Sequence, residues 1–373
     1  MSCDYHHLPH AGIQSLKPYI PGKAVEELAR EQGITDIIKL ASNENPLGCS
    51  YKAKEAIARL TPHQLATYPS PMNHPLRHKL SQKLGVSETM LTLGNGSDSL
   101  FSLILTTFAL HTGKHMLTHE HSFISYGIQA QTLGITVQKI PLQPNWHVDI
   151  DTMISMSQQN VAVIFLANPN NPTGIFINPE EIRRLIANVP ATAIIVLDEA
   201  YYEYAYSPGD KTSINLLRDY PNLIITRTFS KAYGLAGLRL GYAIASPEIT
   251  ELLLRVEPPF GVNQAALEAA NAALDDHEFV TETLKLNQQG MQQLQQGFDT
   301  LNLSYLPSRC NFITFDCGVN ALPIYEELLK HGVIVRPLQP YKLSNHLRVT
   351  IGNSVQNARF LDKLALCLSH HTN

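Results

Sequence analysis

The stretch Leu223-Ile-Ile-Thr-Arg-Thr-Phe-Ser-Lys-Ala-Tyr-Gly-Leu-Ala-Gly-Leu-Arg239 joins a short apolar run to a lysine, Lys231, and ends in an arginine. The apolar run predicts a buried strand, so Lys231 is expected to follow shortly after a strand end. A lysine amine attacks carbonyl carbons only after losing its proton, and catalytic lysines therefore lie in pockets that depress their pKa. Ser230, Lys231 and Arg239 are candidates for such a pocket. The alternative is a lysine that extends its stem over apolar surface and keeps its head group in water.

Similar apolar, β-branched runs alternate with longer helical stretches through the middle of the chain. This alternation predicts βα units around a mostly parallel sheet, the α/β class. The runs are continuously apolar, which indicates strands buried on both faces. The clearest predicted strands are 161–167, 193–197, 223–226 and 241–245, and connecting helices are predicted at 180–187 and 213–218.

The pattern changes near Pro258, where strands and helices begin to mix, and this predicts a smaller α+β domain. Helices are predicted at 263–274, 279–301, 322–330 and from Ser354 on, and strands at 311–315, 332–335 and 347–351. A chain of 373 residues is long enough for two domains. We predict an N-terminal arm that also joins the small domain (1–36), a large domain (37–262) and a small C-terminal domain (263–373) whose linking helix spans about 263–301.

The composition excludes several classes of protein. A net charge of -4 gives no reason to expect nucleic acid or an anionic membrane as a partner. No apolar run reaches the length of a membrane span, and 100–110 is interpreted as a buried helix. The five cysteines are odd in number, spread out and without a C-x-x-C pair. They predict reduced thiols in a cytoplasmic protein, and their spacing suggests neither a disulfide framework nor a zinc site.

Polar residues follow directly after two more predicted strands. Strand 161–167 is followed by Asn168-Pro-Asn-Asn-Pro-Thr-Gly174, and strand 193–197 by Asp198-Glu-Ala-Tyr201. In open α/β sheets ligands bind outside the carboxyl ends of the strands, so these residues are expected to converge. A buried Asp198 needs a cation or a donor, unless it caps a helix. Asn171 and Tyr201 would add hydrogen bonds beside it, or else serve a turn and ordinary packing.

The run Gly94-Asn-Gly-Ser-Asp98 precedes an apolar helix, and such a helix start can bind a phosphate. It lacks the third glycine of a dinucleotide fingerprint, so a smaller phosphate fits better, although a simple helix entry is the alternative. A phosphate cradle, a lysine for an imine, a carboxylate for a ring nitrogen and donors for a ring oxygen are together what pyridoxal phosphate requires.

Four runs resemble the fold type I, class II aminotransferases in order and spacing. They are Asn171-Pro-Thr-Gly174, Asp198-Glu-Ala-Tyr201, Thr228-Phe-Ser-Lys231 with Arg239, and Leu347-Arg-Val-Thr-Ile-Gly352. Three further runs look like the histidinol-phosphate aminotransferase branch, namely Lys39-Leu-Ala-Ser-Asn-Glu-Asn-Pro-Leu-Gly48, Tyr68-Pro69 and Val333-Ile-Val-Arg-Pro337. The resemblance covers nearly the whole chain. It implies pyridoxal 5'-phosphate as cofactor and a large domain with a mostly parallel seven-stranded sheet flanked by helices, beside a smaller α+β domain.

The resemblance also implies roles for individual residues at the cofactor. Lys231 resembles the lysine that forms the Schiff base and moves the proton of the substrate Cα, and Asp198 matches the partner of the pyridine nitrogen. The other matching positions are Asn171 and Tyr201 at the ring oxygen, Gly96, Ser97, Ser230 and Arg239 at the phosphate with Asp98 beside them, and Phe123 on the face of the ring.

Further positions imply substrate binding and assembly. Arg336 and Arg348 resemble the arginines that bind the anionic group of the substrate, with Tyr19 and Asn43 in the same cleft. Tyr68 corresponds to a tyrosine that reaches the cofactor phosphate of the neighbouring subunit, which implies a homodimer with composite sites.

The implied reaction is a ping-pong transamination in histidine biosynthesis. L-histidinol phosphate and 2-oxoglutarate would give imidazole acetol phosphate and L-glutamate, because one guanidinium can bind a phosphate or a carboxylate. The sequence departs from the family pattern at Ser99, at Phe123 and in Tyr68-Pro-Ser-Pro71, and these departures leave the substrate open. An aromatic amino acid aminotransferase and a lyase such as a threonine-phosphate decarboxylase are the alternatives. A ligand sensor without enzymatic activity is a third.

Overall fold

The computed structural model describes residues 4–18 and 22–371 of the chain. The strands in this part of the chain form three sheets. They are β1 (Ile38–Lys39), β2 (Leu91–Gly94), β3 (His115–His119), β4 (Val137–Ile140), β5 (Val161–Ala167), β6 (Ile194–Asp198), β7 (Leu223–Thr228), β8 (Gly241–Ile244), β9 (Phe312–Asp316), β10 (Val333–Ile334), β11 (Arg336–Leu338) and β12 (Leu343–Thr350).

Helices of very different length connect the strands. They are α1 (Ala11–Gln14), α2 (Val25–Gln32), α3 (Tyr51–Ala58), α4 (Pro62–Ala66), α5 (Pro75–Leu84), α6 (Gly96–Phe108), α7 (Ile124–Thr132), α8 (Ile150–Ser157), α9 (Pro179–Asn188), α10 (Tyr202–Ala205), α11 (Thr212–Leu216), α12 (Pro247–Leu254), α13 (Gln264–Ala273), α14 (His277–Thr300), α15 (Ala321–Lys330) and α16 (Ser354–His371). Local sequence explains several starts. Asn178 and Ser246 cap α9 and α12, and each is followed by a proline whose missing N–H costs nothing at the first helical position.

The largest sheet has seven strands in the order β2-β8-β7-β6-β5-β3-β4. All of its strands run parallel except β8, which is antiparallel to both of its neighbours. The central strands β7, β6 and β5 therefore end at one edge of the sheet. This edge carries the polar segments that follow the strands in the sequence.

Both faces of this sheet are covered. Ile164 and Leu166 of β5 pack into a cluster with helices such as α5, α9 and α13, whereas Val163 and Phe165 pack into a second cluster with α6, α7 and α12. Apolar side chains on both sides explain the continuous apolar runs, because neither face meets water.

A second layer of structure contains the three-stranded antiparallel sheet β11-β12-β9. Its apolar side chains, such as Phe315 and Leu347, pack with Phe298 of α14, Leu328 of α15 and Phe360 of α16. The short strand β1 pairs in parallel with β10, which attaches the N-terminal segment to this layer.

The predicted α/β class and the mostly parallel seven-stranded sheet are confirmed. Strand 161–167 has the predicted bounds, whereas β7 continues two residues beyond 226 because it pairs with β8 as far as Thr228. Helix α13 packs against α3 and α5 beside the large sheet. The division of the chain at residues 37 and 263 remains a prediction. No helix in the described part of the chain is long and apolar enough to cross a bilayer.

Candidate active site

A cavity of about 180 Å³ lies at the carboxyl ends of β5, β6 and β7. It is lined by residues of the seven-stranded sheet, of the segment after β1 and of the three-stranded sheet. Most of the residues predicted from the sequence line it, namely Asn43, Ser97, Asp98, Phe123, Asn171, Asp198, Tyr201, Ser230, Lys231, Arg239, Arg336 and Arg348. The tertiary structure therefore brings these distant parts of the sequence to one place.

Lys231 stands in a tight turn that follows β7. The turn is closed by a hydrogen bond from the Gly234 N–H to the Lys231 carbonyl. Gly234 has a φ of +67°, and a Cβ at this position would collide with the carbonyl oxygen of Gly48, so the turn requires glycine. The Lys231 Nζ lies in the cavity and donates to the carbonyl oxygen of Ser42 at 3.2 Å.

The environment of Lys231 favours the neutral amine. Burial, and then the positive charges of Arg348 and Arg239, lower the pKa of Lys231 to about 8. Near neutral pH a useful fraction of this amine is therefore unprotonated, as a nucleophile or a base requires.

Asp198 is the last residue of β6, and its side chain is only 4% exposed. It does not cap α10, whose N-cap residue is Tyr201. The Tyr126 hydroxyl donates to Oδ2 at 2.6 Å, and the Thr226 hydroxyl donates to Oδ1 at 3.1 Å. Burial nevertheless raises the pKa of Asp198 to about 6, against these two hydrogen bonds and one from the backbone of Ala200. These donors do not offset the desolvation of the charge, so the carboxylate is suited to a cationic partner in the cavity.

Tyr201 and Asn43 form a hydrogen-bonded pair beside Asp198. The Asn43 side-chain amide donates to the Tyr201 hydroxyl oxygen at 2.7 Å, and the backbone N–H of Asn43 donates to the Thr350 hydroxyl at 2.9 Å. Burial raises the pKa of Tyr201, which keeps the phenol protonated. Because its oxygen already accepts from Asn43, the hydroxyl is oriented to donate its own proton to another oxygen.

The asparagines after β5 have separate roles. Asn168 and Asn170 shape the loop, since Asn168 exchanges two hydrogen bonds with the backbone of Ile177 and Asn170 donates to the Thr173 hydroxyl. Asn171 instead lines the cavity, and its Oδ1 accepts from Nη1 of Arg348 at 2.5 Å. Turn chemistry thus accounts for the first two residues, while the third orients an arginine.

The first turn of α6 forms a site for an anion. Gly96 and Ser97 begin the helix, and Arg239 approaches so closely that a Cβ on Gly96 would lie 2.5 Å from Nη2 of Arg239. Nη1 of Arg239 lies 3.4 Å from the Ser230 hydroxyl. Free backbone N–H groups, the positive end of the helix dipole and a guanidinium all favour a phosphate here. Asp98 lies at the edge of this group, 3.6 Å from Arg239, and accepts from the Ser125 hydroxyl at 2.5 Å.

Two arginines reach the cavity from the smaller sheet. Arg336 of β11 and Arg348 of β12 are directly opposite each other in an antiparallel pair, so their side chains leave the same face of the sheet. They are only 7% and 6% exposed. Nη2 of Arg348 also donates to the carbonyl oxygen of Ala41 at 2.8 Å. This pair of cations is suited to a second anionic group, apart from the one at the start of α6.

Three predicted residues have other positions. Gly96 contributes to the cavity through its contact with Arg239. Tyr68 does not line the cavity, is 80% exposed and stacks on Phe260 with 4.5 Å between ring centroids. Tyr19 lies outside the described residues.

Sequence reasoning missed several contributors. Tyr126 was not identified as the donor to Asp198, and Ser42 and Tyr341 were not identified as neighbours of the cavity. Tyr126 is one turn after Phe123, and the two rings meet edge to face at 5.6 Å. This spacing was the available signal, because side chains three apart lie on one face of a helix.

The residues present fit a phosphorylated pyridine aldehyde. The start of α6 with Arg239 would bind its phosphate, Asp198 would pair with its protonated ring nitrogen, and Lys231 would react with its aldehyde carbon. The glycine at position 96 leaves space that a Cβ would fill. The uncompensated charge of Asp198 is the second observation that supports this fit.

The comparisons with known proteins agree with this geometry. The family model "Aminotransferase class I and II" matches residues 35–364. The chain belongs to this aminotransferase family. A relative from Legionella pneumophila (strain Lens), "Histidinol-phosphate aminotransferase 2", is 56% identical over 98% of this chain and 99% of its own length. A relative of the same name from Pseudomonas fluorescens (strain Pf-5) is 46% identical over 99% and 100%.

A solved structure gives the same result for the fold of this aminotransferase. The histidinol-phosphate aminotransferase from Sinorhizobium meliloti, in complex with pyridoxal-5'-phosphate, has a TM-score of 0.88 at 27% identity, and the match covers 98% of each chain. The predicted fold type I architecture is therefore confirmed.

Proposed function

We propose that this aminotransferase binds pyridoxal 5'-phosphate and moves an amino group between L-histidinol phosphate and 2-oxoglutarate. The observation that carries the proposal is the cavity that Lys231 and Asp198 line together with two anion-binding groups, the start of α6 with Arg239 and the pair of Arg336 and Arg348. The names of the two relatives at 56% and 46% identity support the choice of substrate. The products would be imidazole acetol phosphate and L-glutamate, in histidine biosynthesis.

The cofactor would be held by side chains and backbone groups that line the cavity. The first turn of α6, Ser230 and Arg239 would bind the phosphate, and Asp198 would keep the ring nitrogen protonated. Tyr201 would donate to the ring oxygen, with Asn171 beside it, and Phe123 would lie on the ring face. When bound, the cofactor supplies an electron-accepting ring and a carbon that carries the amino group.

Lys231 would act first as the covalent anchor and then as the base. Its pKa of about 8 leaves part of the amine neutral near pH 7.5, so it can accept the proton of the substrate Cα and return one to the cofactor carbon. The Ser42 carbonyl, 3.2 Å from Nζ, would orient the amine between these two positions.

Arg336 and Arg348 would bind the anionic group of each substrate. A planar guanidinium forms paired hydrogen bonds with either a phosphate or a carboxylate. The same two residues could therefore bind histidinol phosphate in one half-reaction and glutamate in the other. The hydrogen bond between Arg348 and Asn171 would hold this guanidinium in place for both substrates.

The expected substrate preference can be measured directly. We expect kcat/KM for L-histidinol phosphate to exceed the values for phenylalanine and tyrosine by at least about 100-fold. A phosphate offers the two arginines three oxygens and nearly two negative charges, whereas an α-carboxylate offers two oxygens and one charge, and each charge-assisted hydrogen bond is worth about 1.5–3 kcal/mol. Steady-state rates with 2-oxoglutarate as acceptor test this. A preference for phenylalanine would favour the aromatic aminotransferase, and carbon dioxide release without 2-oxoglutarate consumption would refute transamination.

We also propose that the active enzyme is a homodimer with composite sites. Tyr68, whose exposed ring stacks on the exposed Phe260, would reach the cofactor phosphate of the partner subunit. An aromatic pair of this kind on a surface is typical of an interface. The cytoplasmic location predicted from the reduced cysteines remains a prediction.

Mixing two impaired variants tests the composite site. We expect Tyr68→Ala to lower activity, and we expect subunits carrying Tyr68→Ala to regain activity when they are refolded together with Lys231→Ala subunits. A mixed dimer would then contain one site with an intact Lys231 and an intact Tyr68. Lys231→Ala refolded with itself is the control. No gain of activity in the mixture, or a monomer by light scattering, would contradict the proposal.

A further inference from the structure

Three side chains of metal-binding type meet where the ends of α15 and α16 come together. They are Glu327, His331 and Cys367, and one ligand atom from each lies within 4.8 Å of the others. None of them lines the cavity of the candidate active site. A carboxylate oxygen, an imidazole nitrogen and a thiolate sulfur are the three ligand types that Zn²⁺ takes in proteins.

The helical spacing explains why these side chains converge. Glu327 and His331 are four residues apart at the end of α15, so they lie on one face of the helix. Cys367 and His370 are three residues apart near the end of α16 and also share a face. The two helices pack against each other through apolar residues such as Leu328 and Leu364.

His370 lies beside Glu327 of this cluster. Its Nδ1 lies 2.6 Å from Oε1 of Glu327. Two helices thus each bring a pair of possible ligands, which is the number that a tetrahedral zinc site uses.

The local electrostatics favour a cation. Both helices bring their carboxyl-terminal ends to the cluster, and these ends carry partial negative charge. Cys367 is fully buried, and a cation that binds its sulfur displaces the thiol proton.

We propose that Glu327, His331 and Cys367 bind one Zn²⁺ ion, with His370 as the fourth ligand. The zinc–sulfur bond forms as the thiol proton leaves to solvent, and no change of oxidation state is involved. The ion joins the C-terminal helix to α15 and so stabilises the smaller layer of the fold. Packing as a small apolar side chain would explain Cys367 alone, but it does not explain the carboxylate and the imidazole beside it.

Metal titration of the holoenzyme tests the site. After treatment with a chelator and its removal, we expect one Zn²⁺ per chain in competition with a metallochromic dye, and a higher unfolding temperature with Zn²⁺. Co²⁺ should give a thiolate-to-cobalt charge-transfer absorption. Cys367→Ser should abolish this absorption and lower the Zn²⁺ affinity by at least about 100-fold, since even residues that only support a ligand contribute about 10- to 100-fold.

Matched variants separate the site from other thiols and histidines. Cys317→Ser removes a different buried thiol of the same apolar cluster and should leave metal binding unchanged. A variant with His6, His7 and His10 all changed to alanine should also bind normally. His331→Gln, at a partly exposed ring, repeats the test if Cys367→Ser folds poorly.

Three results would overturn the proposal. They are the absence of stoichiometric binding at micromolar Zn²⁺, an unchanged cobalt spectrum in Cys367→Ser, and a loss of binding only in the variant without the N-terminal histidines.

Discussion

Lys231→Ala is expected to reduce turnover by at least about four orders of magnitude, because removal of a group that acts both as nucleophile and as base typically costs this much or more. The variant should still bind the cofactor weakly, since the first turn of α6 and Arg239 remain. Single-turnover measurements with histidinol phosphate provide the rate, and an equilibrium titration provides the cofactor affinity.

Lys83→Ala is the matched control for this variant. Lys83 is also a lysine whose pKa is lowered by burial, but its amine donates to the Tyr233 hydroxyl at 3.3 Å and it does not line the cavity. We expect near-normal turnover in the control. Borohydride reduction of the wild-type enzyme followed by peptide mapping should place the cofactor on Lys231. An adduct on another lysine would contradict the central role of this residue.

Asp198→Asn is expected to lower turnover by about 10²- to 10³-fold, the usual effect of removing one fixed electrostatic group from an active site. An amide cannot hold a proton on the ring nitrogen as a carboxylate does. Asp316→Asn is the control, because Asp316 ends β9 and does not line the cavity. Turnover by Asp198→Asn at the wild-type rate would contradict the proposed ion pair.

Asp198→Asn should raise the stability of the cofactor-free protein, although it lowers turnover. The pKa of Asp198 is raised from 3.8 to about 6 in the folded state, so the folded state binds a proton more tightly than the unfolded state. The free energy of unfolding therefore falls as the pH rises through this window, by about 3 kcal/mol in total. Asp198→Asn removes this loss.

Urea unfolding of the cofactor-free proteins measures the effect. Relative to the wild type, Asp198→Asn should gain stability between pH 4 and pH 6.5, and part of the gain is offset because the amide accepts less well from Tyr126 and Thr226. Asp316→Asn, which removes a carboxylate at the end of β9, is carried through the same unfolding series as the control. If the difference in the free energy of unfolding between wild type and Asp198→Asn does not change with pH, the protein itself already stabilises the charged carboxylate without the cofactor.

The sequence predicted the large sheet well because burial on both faces leaves a strong local signal. The run from Val161 to Ala167 is apolar throughout, and its strand bounds follow directly from that run. Strand β7 was predicted too short, since Arg227 and Thr228 are polar and join the strand only by pairing with β8. Pairing with a distant strand leaves no trace in the local pattern.

The site was predictable where its residues follow strands or lie in a recognisable motif. Asp198, Lys231 and Asn171 come directly after apolar runs, and the family resemblance added Arg336 and Arg348. Tyr126 was missed, because its spacing from Phe123 shows only that the two rings lie on one side of α7 and does not distinguish a donor to a carboxylate from a core residue.

The sequence by itself determined the α/β class, the order along the chain of the polar segments that follow the strands, and the residue types available for the chemistry. These properties follow from hydrophobic patterning and motif spacing, which are local along the chain. Only the tertiary structure decided the depressed pKa of Lys231, the uncompensated charge of Asp198 and the register that places Arg336 opposite Arg348. It also decided the meeting of Glu327 with Cys367. Desolvation and charge interactions depend on distances between residues far apart in sequence, and those distances exist only after the chain has folded.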